Sequence, residues 1–141
     1  MMPNLIIQTL VADTNLHNLG ITPDRIRESQ SWDERPTDGY FLSINFEEML
    51  FSSVTSISKG PRTMTVAVHH PWDLDRGYET LTSILNEVDD CLLPLEALAG
   101  SDGLRITSVR RQGRGGNQVD EGWKTITRTA TYGVLYDEYA A

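Results

Sequence analysis

The chain has 141 residues, 20 acidic and 12 basic side chains, a formal net charge of −8, and one cysteine. That length suits one domain able to bury a core without disulfides or metals, and the lone Cys91 excludes an intrachain disulfide. The acidic balance argues against duplex nucleic acid as the main ligand, because such binding rests largely on neutralising phosphates, and no apolar stretch approaches the length needed to span a bilayer.

The first residues carry no basic segment, apolar run and small-residue cleavage site, so no secretory signal is read and a soluble protein made in a cytoplasm is expected. Pro3 followed by Asn4, Leu5, Ile6, Leu10 and Val11 predicts an N-terminal helix that ends at Asn18-Leu19-Gly20. Residues 19–39 are polar and broken by Pro23, Pro36 and Gly39, an irregular loop region in which Arg25 to Trp32 form a short edge strand. Residues 40–51 alternate, with Tyr40, Leu42, Ile44, Phe46 and Leu50 on one side, the mark of a half-buried strand. A serine-rich link carrying Lys59-Gly60-Pro61 follows. A second strand then runs from Thr63 to His70, with Met64, Val66 and Val68 on one face and Pro71 as its stop.

Leu74, Tyr78, Leu81, Leu85, Val88 and Leu92 step by four and three, which places one apolar stripe on a helix capped by Asp73 or Asp75. Cys91 falls on this helix and reads as a small buried hydrophobe; a catalytic thiol needs an activator that the sequence does not place beside it. Pro94 disfavours an unbroken helix, so Leu95 to Leu98 are predicted to form a separate turn. Residues 104–137 read as a long β-hairpin. Its arms are Leu104 to Gln112 and Trp123 to Tyr136, and Gly113, Arg114, Gly115 and Gly116 lie at its tip. In the second arm threonines alternate with Ile126, Ala130, Tyr132, Val134 and Tyr136, a pattern suited to a pleated surface. At roughly 3.4 Å per residue this arm exceeds about 40 Å, more than such a domain needs, so its excess is expected to meet something outside the core. The whole, 1–141, is expected to be a single α+β domain. It has a mixed or antiparallel sheet, an N-terminal helix, one central amphipathic helix packed on the sheet, and the long C-terminal hairpin.

No set of residues reads as catalytic, cofactor-binding or metal-binding. His69 and His70 are adjacent on a strand and point to opposite faces, so they do not share an ion, and no HxH or HExxH spacing is present. The Gly113–Gly116 tip lacks the Lys-Ser/Thr of a phosphate loop. Ser43, Ser52, Ser53, Ser56 and Ser58 lack a GxSxG frame, and neighbouring Glu47 and Glu48 diverge. Trp32 and Trp72 read as packing residues, whereas Trp123, beside Gly122 at a strand start, reads as an interface residue.

Charge is unevenly placed. Residues 73–90 hold six acids and one base, and residues 105–128 hold six bases and two acids. Either these are two solvated faces, or one copy's basic patch meets the next copy's acidic patch. The second reading assigns a subunit interface to Arg110, Arg111, Arg114, Trp123 and Arg128 against Asp75 and Glu79.

Three stretches carry a family resemblance. They are Arg35-Pro36-Thr37-Asp38-Gly39-Tyr40-Phe41-Leu42, then Met64 to Pro71 leading into Arg76 to Leu93, and finally Trp123 to Tyr136. Together they resemble the tail terminator proteins of long-tailed, siphovirus-type bacteriophages, particularly those of actinobacterial hosts, from about residue 35 onward. Residues 19–34 show no such match. The resemblance implies a homo-oligomeric ring, commonly a hexamer, in the virion at the head–tail junction, assembled in the host cytoplasm. It implies contacts with the tail tube protein and with head–tail connector proteins, DNA only passing through the lumen, no membrane, no cofactor and no enzyme activity. Rival readings are a head–tail connector or neck subunit, a small nucleic-acid-binding module using the basic hairpin, and a metal-dependent hydrolase centred on His69 or His70.

Overall fold

Period-two alternation in three stretches of the chain builds the middle of one sheet, and helical stripes cover a single face of it. The computed structural model of the chain describes residues 2–29, 32, 34–47, 62–74 and 77–138. Among these residues six strands, β1 (Ile26–Glu28), β2 (Phe41–Glu47), β3 (Arg62–Pro71), β4 (Leu104–Arg114), β5 (Gln118–Asp120) and β6 (Thr125–Glu138), lie in the order β1-β2-β3-β6-β4, with β5 pairing β6. β1 runs parallel to β2 and every other pair is antiparallel, so the sheet is mixed. Among the described residues three α-helices, α1 (Asn4–Ala12), α2 (Thr14–Asn18) and α3 (Glu79–Leu92), complete an α+β fold.

The register sets Leu42 beside Val68, Ile44 beside Val66, Val66 beside Ala130 and Met64 beside Tyr132, all on one face. That face buries itself against Ile6 and Leu10 of α1 and Leu81, Ile84, Leu85 and Val88 of α3. Each such aliphatic side chain taken fully from water contributes about 1.5–3 kcal/mol, so the predicted stripe is what holds α3 to the sheet.

Several boundaries differ from expectation for local physical reasons. The N-terminal helix is two pieces, because Asp13 turns to extended geometry and its carboxylate accepts the Leu16 N–H at 3.0 Å, capping α2. Gly20, at φ +98°, ends it as predicted. Of the edge strand predicted over Arg25 to Trp32, the described residues show the three of β1, and residues 30 and 31 lie outside the described residues. β2 is described to Glu47; the predicted extension through Leu50, the serine-rich link and Lys59-Gly60-Pro61 lie outside the described residues. Pro71 is the last residue of β3, opposite Thr125, and does not lie beyond it.

The central helix starts at Glu79, not at Asp73 or Asp75. Residues 72–74 form a turn, Leu74 is 54% exposed, and Tyr78 stands at the N-cap without a side-chain cap bond. The Trp72 N–H donates to the Lys124 carbonyl at 3.1 Å, which ties this turn to the start of β6, and Gly77 disfavours a helix interior. After α3, a single 3-10 turn covers Leu93–Leu95, earlier than the predicted Leu95 to Leu98.

The length of the last strand is consumed inside the domain. β6 pairs β3 from Thr125 to Val134 along one edge, and along the other it pairs β5 and then β4. It is a central strand with both edges occupied, so the expected excess does not leave the subunit. The hairpin's first arm runs on through Gly113 to Arg114 with register shifts between Ile106 and Ser108 and between Arg111 and Gly113, and β5 fills the space beyond.

Candidate functional site

Facing positions on α3 and β4 bring opposite charges together within one chain. Asp89 is buried on α3 and accepts from Arg111 Nη1 at 2.9 Å, from Arg114 Nη2 at 2.6 Å and from the Tyr132 hydroxyl. Arg114 also donates to Asn86 Oδ1 at 3.0 Å. Burial alone raises the Asp89 carboxyl, but the hydrogen bonds from Tyr132, Arg111 and Arg114 outweigh it and hold the group below the usual carboxylate range. Burial, and then the Asp89 carboxylate, push the Tyr132 phenol up.

Other basic side chains also find partners within the chain. Arg128 donates to Thr82 Oγ1 and to Asn117 Oδ1, both at 2.7 Å, and Arg105 pairs with Asp137 at 2.9 Å. Trp123 is half-buried against Phe41 and His69, with ring centroids 5.6 and 5.1 Å away. Arg111, Arg114, Arg128 and Trp123 thus each engage partners within their own subunit. Asp75 lies outside the described residues. Glu79 is exposed in the first turn of α3, and Arg110 is exposed on the helix-free face with no hydrogen bond or ion pair among the described residues.

The helix-free face carries an aromatic end that sequence reasoning missed. Phe41 stacks on His69 at 4.7 Å with a 5° interplanar angle, and Trp32 meets Phe41 edge-on at 5.2 Å. His69, 4% exposed, spans two hydroxyls: Nε2 lies 3.0 Å from Ser43 Oγ and Nδ1 lies 3.0 Å from Thr125 Oγ1. Burial, reinforced by Arg35 and opposed by Asp120, pushes the imidazole down to about 4, so it is neutral at pH 7. A serine beside a histidine is half of a nucleophilic pair, but here the second ring nitrogen faces a hydroxyl where catalysis uses a carboxylate. The geometry cross-braces β2, β3 and β6. His70 turns to the other face and stacks on Tyr40 at 4.0 Å, as adjacent strand positions require.

A second feature was invisible in the sequence because its parts are far apart in the chain. Between α1 and α3 lies a groove of about 590 Å³. On its wall the ligand atoms of Asp13, Glu87 and Cys91 lie within 4.8 Å of one another. Burial, and then Asp13, push the Cys91 thiol up to about 12, so it is protonated and unreactive at pH 7, in keeping with a packing role.

The sequence matches no protein-family model and no curated protein. A chain in the solved virion of the native gene transfer agent (GTA) particle superposes on this one with a TM-score of 0.67 at 16% sequence identity. The match covers 93% of this chain and 90% of that one, so the two share a fold from end to end. Among the described residues no helix is long and apolar enough to cross a membrane.

Proposed function

We propose that this chain is a structural subunit of a phage-like particle, and that it forms a ring, a hexamer in the arrangement the resemblance implies. The ring caps the completed tail tube and offers the surface to which the head attaches. The observation that carries this reading is the fold shared, over nearly the full length of both chains, with a chain of a gene transfer agent virion. Its partners are then further copies of itself, the tail tube protein and the head–tail connector proteins, and its work is assembly, not catalysis. A subunit of net charge −8 suits a ring whose lumen lets DNA pass without holding it. The nucleic-acid-binding reading loses support, because Arg105, Arg111 and Arg114 already face carboxylates of their own chain.

The fold match fits a connector or neck subunit equally, and one experiment separates the two. Gold-labelled antibody on purified particles is expected at the head–tail junction. On tails made without heads, a tail cap keeps its label at one tube end, whereas a connector subunit leaves those tails bare. Label absent from particles overturns both readings.

A further inference from the structure

The groove between α1 and α3 has an apolar wall of Leu5, Ala12, Pro94, Leu95 and Leu98. Leu98 is 49% exposed and Leu93, on the adjoining 3-10 turn, is 41% exposed, so apolar surface continues out of the groove. Asp13, Glu87 and Asp90 stand together along it, and no lysine or arginine lines it among the described residues. Burial raises the Glu87 carboxyl; the Asn15 amide opposes this, and Asp13 and Asp90 add to it. Among the described residues lining the groove, these carboxylates meet no cation.

On the opposite face of the sheet, Arg110 rises from β4 beside a small hollow of about 210 Å³ shared with Ser108, Gln112, Gly133 and Leu135. β4 is the last strand in the sheet order. Among the described residues only its beginning is covered, by backbone bonds such as Ile106 N–H to the Leu98 carbonyl at 2.8 Å. The strand from Ser108 onward is an edge bearing one outward cation that lacks a partner among the described residues.

We propose that the acidic groove between α1 and α3 receives the Arg110-bearing edge of β4 from a second copy of this chain. The inference rests on the assembly reading above and names the contact between neighbouring subunits. Charge complementarity selects the occupant: the groove lacks a cation and the β4 edge presents one, each beside exposed apolar surface. The two surfaces lie on opposite faces of one sheet, so the contact is head-to-tail and repeats from copy to copy, giving a ring where the rotation closes and an open filament where it does not.

The test uses engineered thiols in a Cys91→Ser background. Gln8 is exposed on the groove wall and Ser108 lies beside Arg110, and neither carries charge. A Gln8→Cys chain mixed with a Ser108→Cys chain, treated with a short thiol-to-thiol cross-linker, is expected to yield a covalent dimer that neither chain forms alone. Adding Arg110→Glu to the Ser108→Cys chain is expected to lower its yield by about tenfold, with circular dichroism unchanged. Adding Glu87→Lys to the Gln8→Cys chain then restores part of it. No cross-link, or one indifferent to Arg110→Glu, overturns the contact. If the wild-type chain still sediments as a closed oligomer, the ring reading survives that failure. A groove that takes up zinc while the two thiols stay unlinked also overturns it.

Discussion

Arg114 Nη2 lies 2.6 Å from Asp89 Oδ2, so the basic edge strand is clamped to the acidic helix of the same subunit. The clamp pairs part of the chain's uneven charge inside one subunit. It predicts that Asp89→Ala, which strands the Tyr132 hydroxyl and leaves Arg114 without its counter-charge, costs about 2–4 kcal/mol in urea denaturation. Tyr132→Phe, which removes one donor, should cost only about 1 kcal/mol. Equal stability of Asp89→Ala and the wild type would remove the clamp from the account.

His69 gives the fold an acid-sensitive brace. Its folded-state value, about 4, lies below the ordinary 6.5, so as pH falls the unfolded chain takes the proton first. The sign is therefore a loss of stability on acidification, absent above about pH 6.5 and growing down to about pH 4, up to about 3 kcal/mol in all. Asp89, held below its usual value, adds a loss in the same direction at lower pH still. Urea midpoints at a series of pH values should show the slope between about pH 6.5 and 4, and His69→Gln should flatten it.

Gly20 closes α2 at φ +98°, a conformation that costs a side chain energy. Gly20→Ala is expected to lower stability by about 1 kcal/mol in thermal unfolding. A neutral result would show that this turn relaxes to accommodate a Cβ.

Asp73 sits in the 72–74 turn and does not cap α3, which begins at Glu79. Asp73→Ala should stay within about 0.5 kcal/mol of wild type, whereas a true helix cap costs about 1 kcal/mol on truncation. Urea denaturation of this one variant decides between the two helix starts.

Local periodicity made much of the fold legible. The alternation around Leu42, Ile44, Val66 and Val68 marked the buried sheet face, and the Leu81, Leu85, Val88, Leu92 spacing marked the face of α3 that meets it. The spacing places the start of α3 too early because Leu74 happens to extend it, while a long-range bond from Trp72 to Lys124 ties down the turn. Alternation says which face a residue takes and nothing about how many neighbours its strand has. The length of β6 therefore reads as surplus from sequence, whereas β3, β4 and β5 line its edges. The site was less legible for the same reason. Asp89 with Arg114, His69 with Thr125, and Asp13 with Cys91 are brought together by the fold, and no sequence spacing announces them.

The central claim is that this chain caps the tail tube, and tube length reads that function directly. In particles assembled without the chain, electron microscopy should show overlong tubes of variable length beside unjoined heads. Tubes of normal, uniform length joined to heads in its absence would contradict the account.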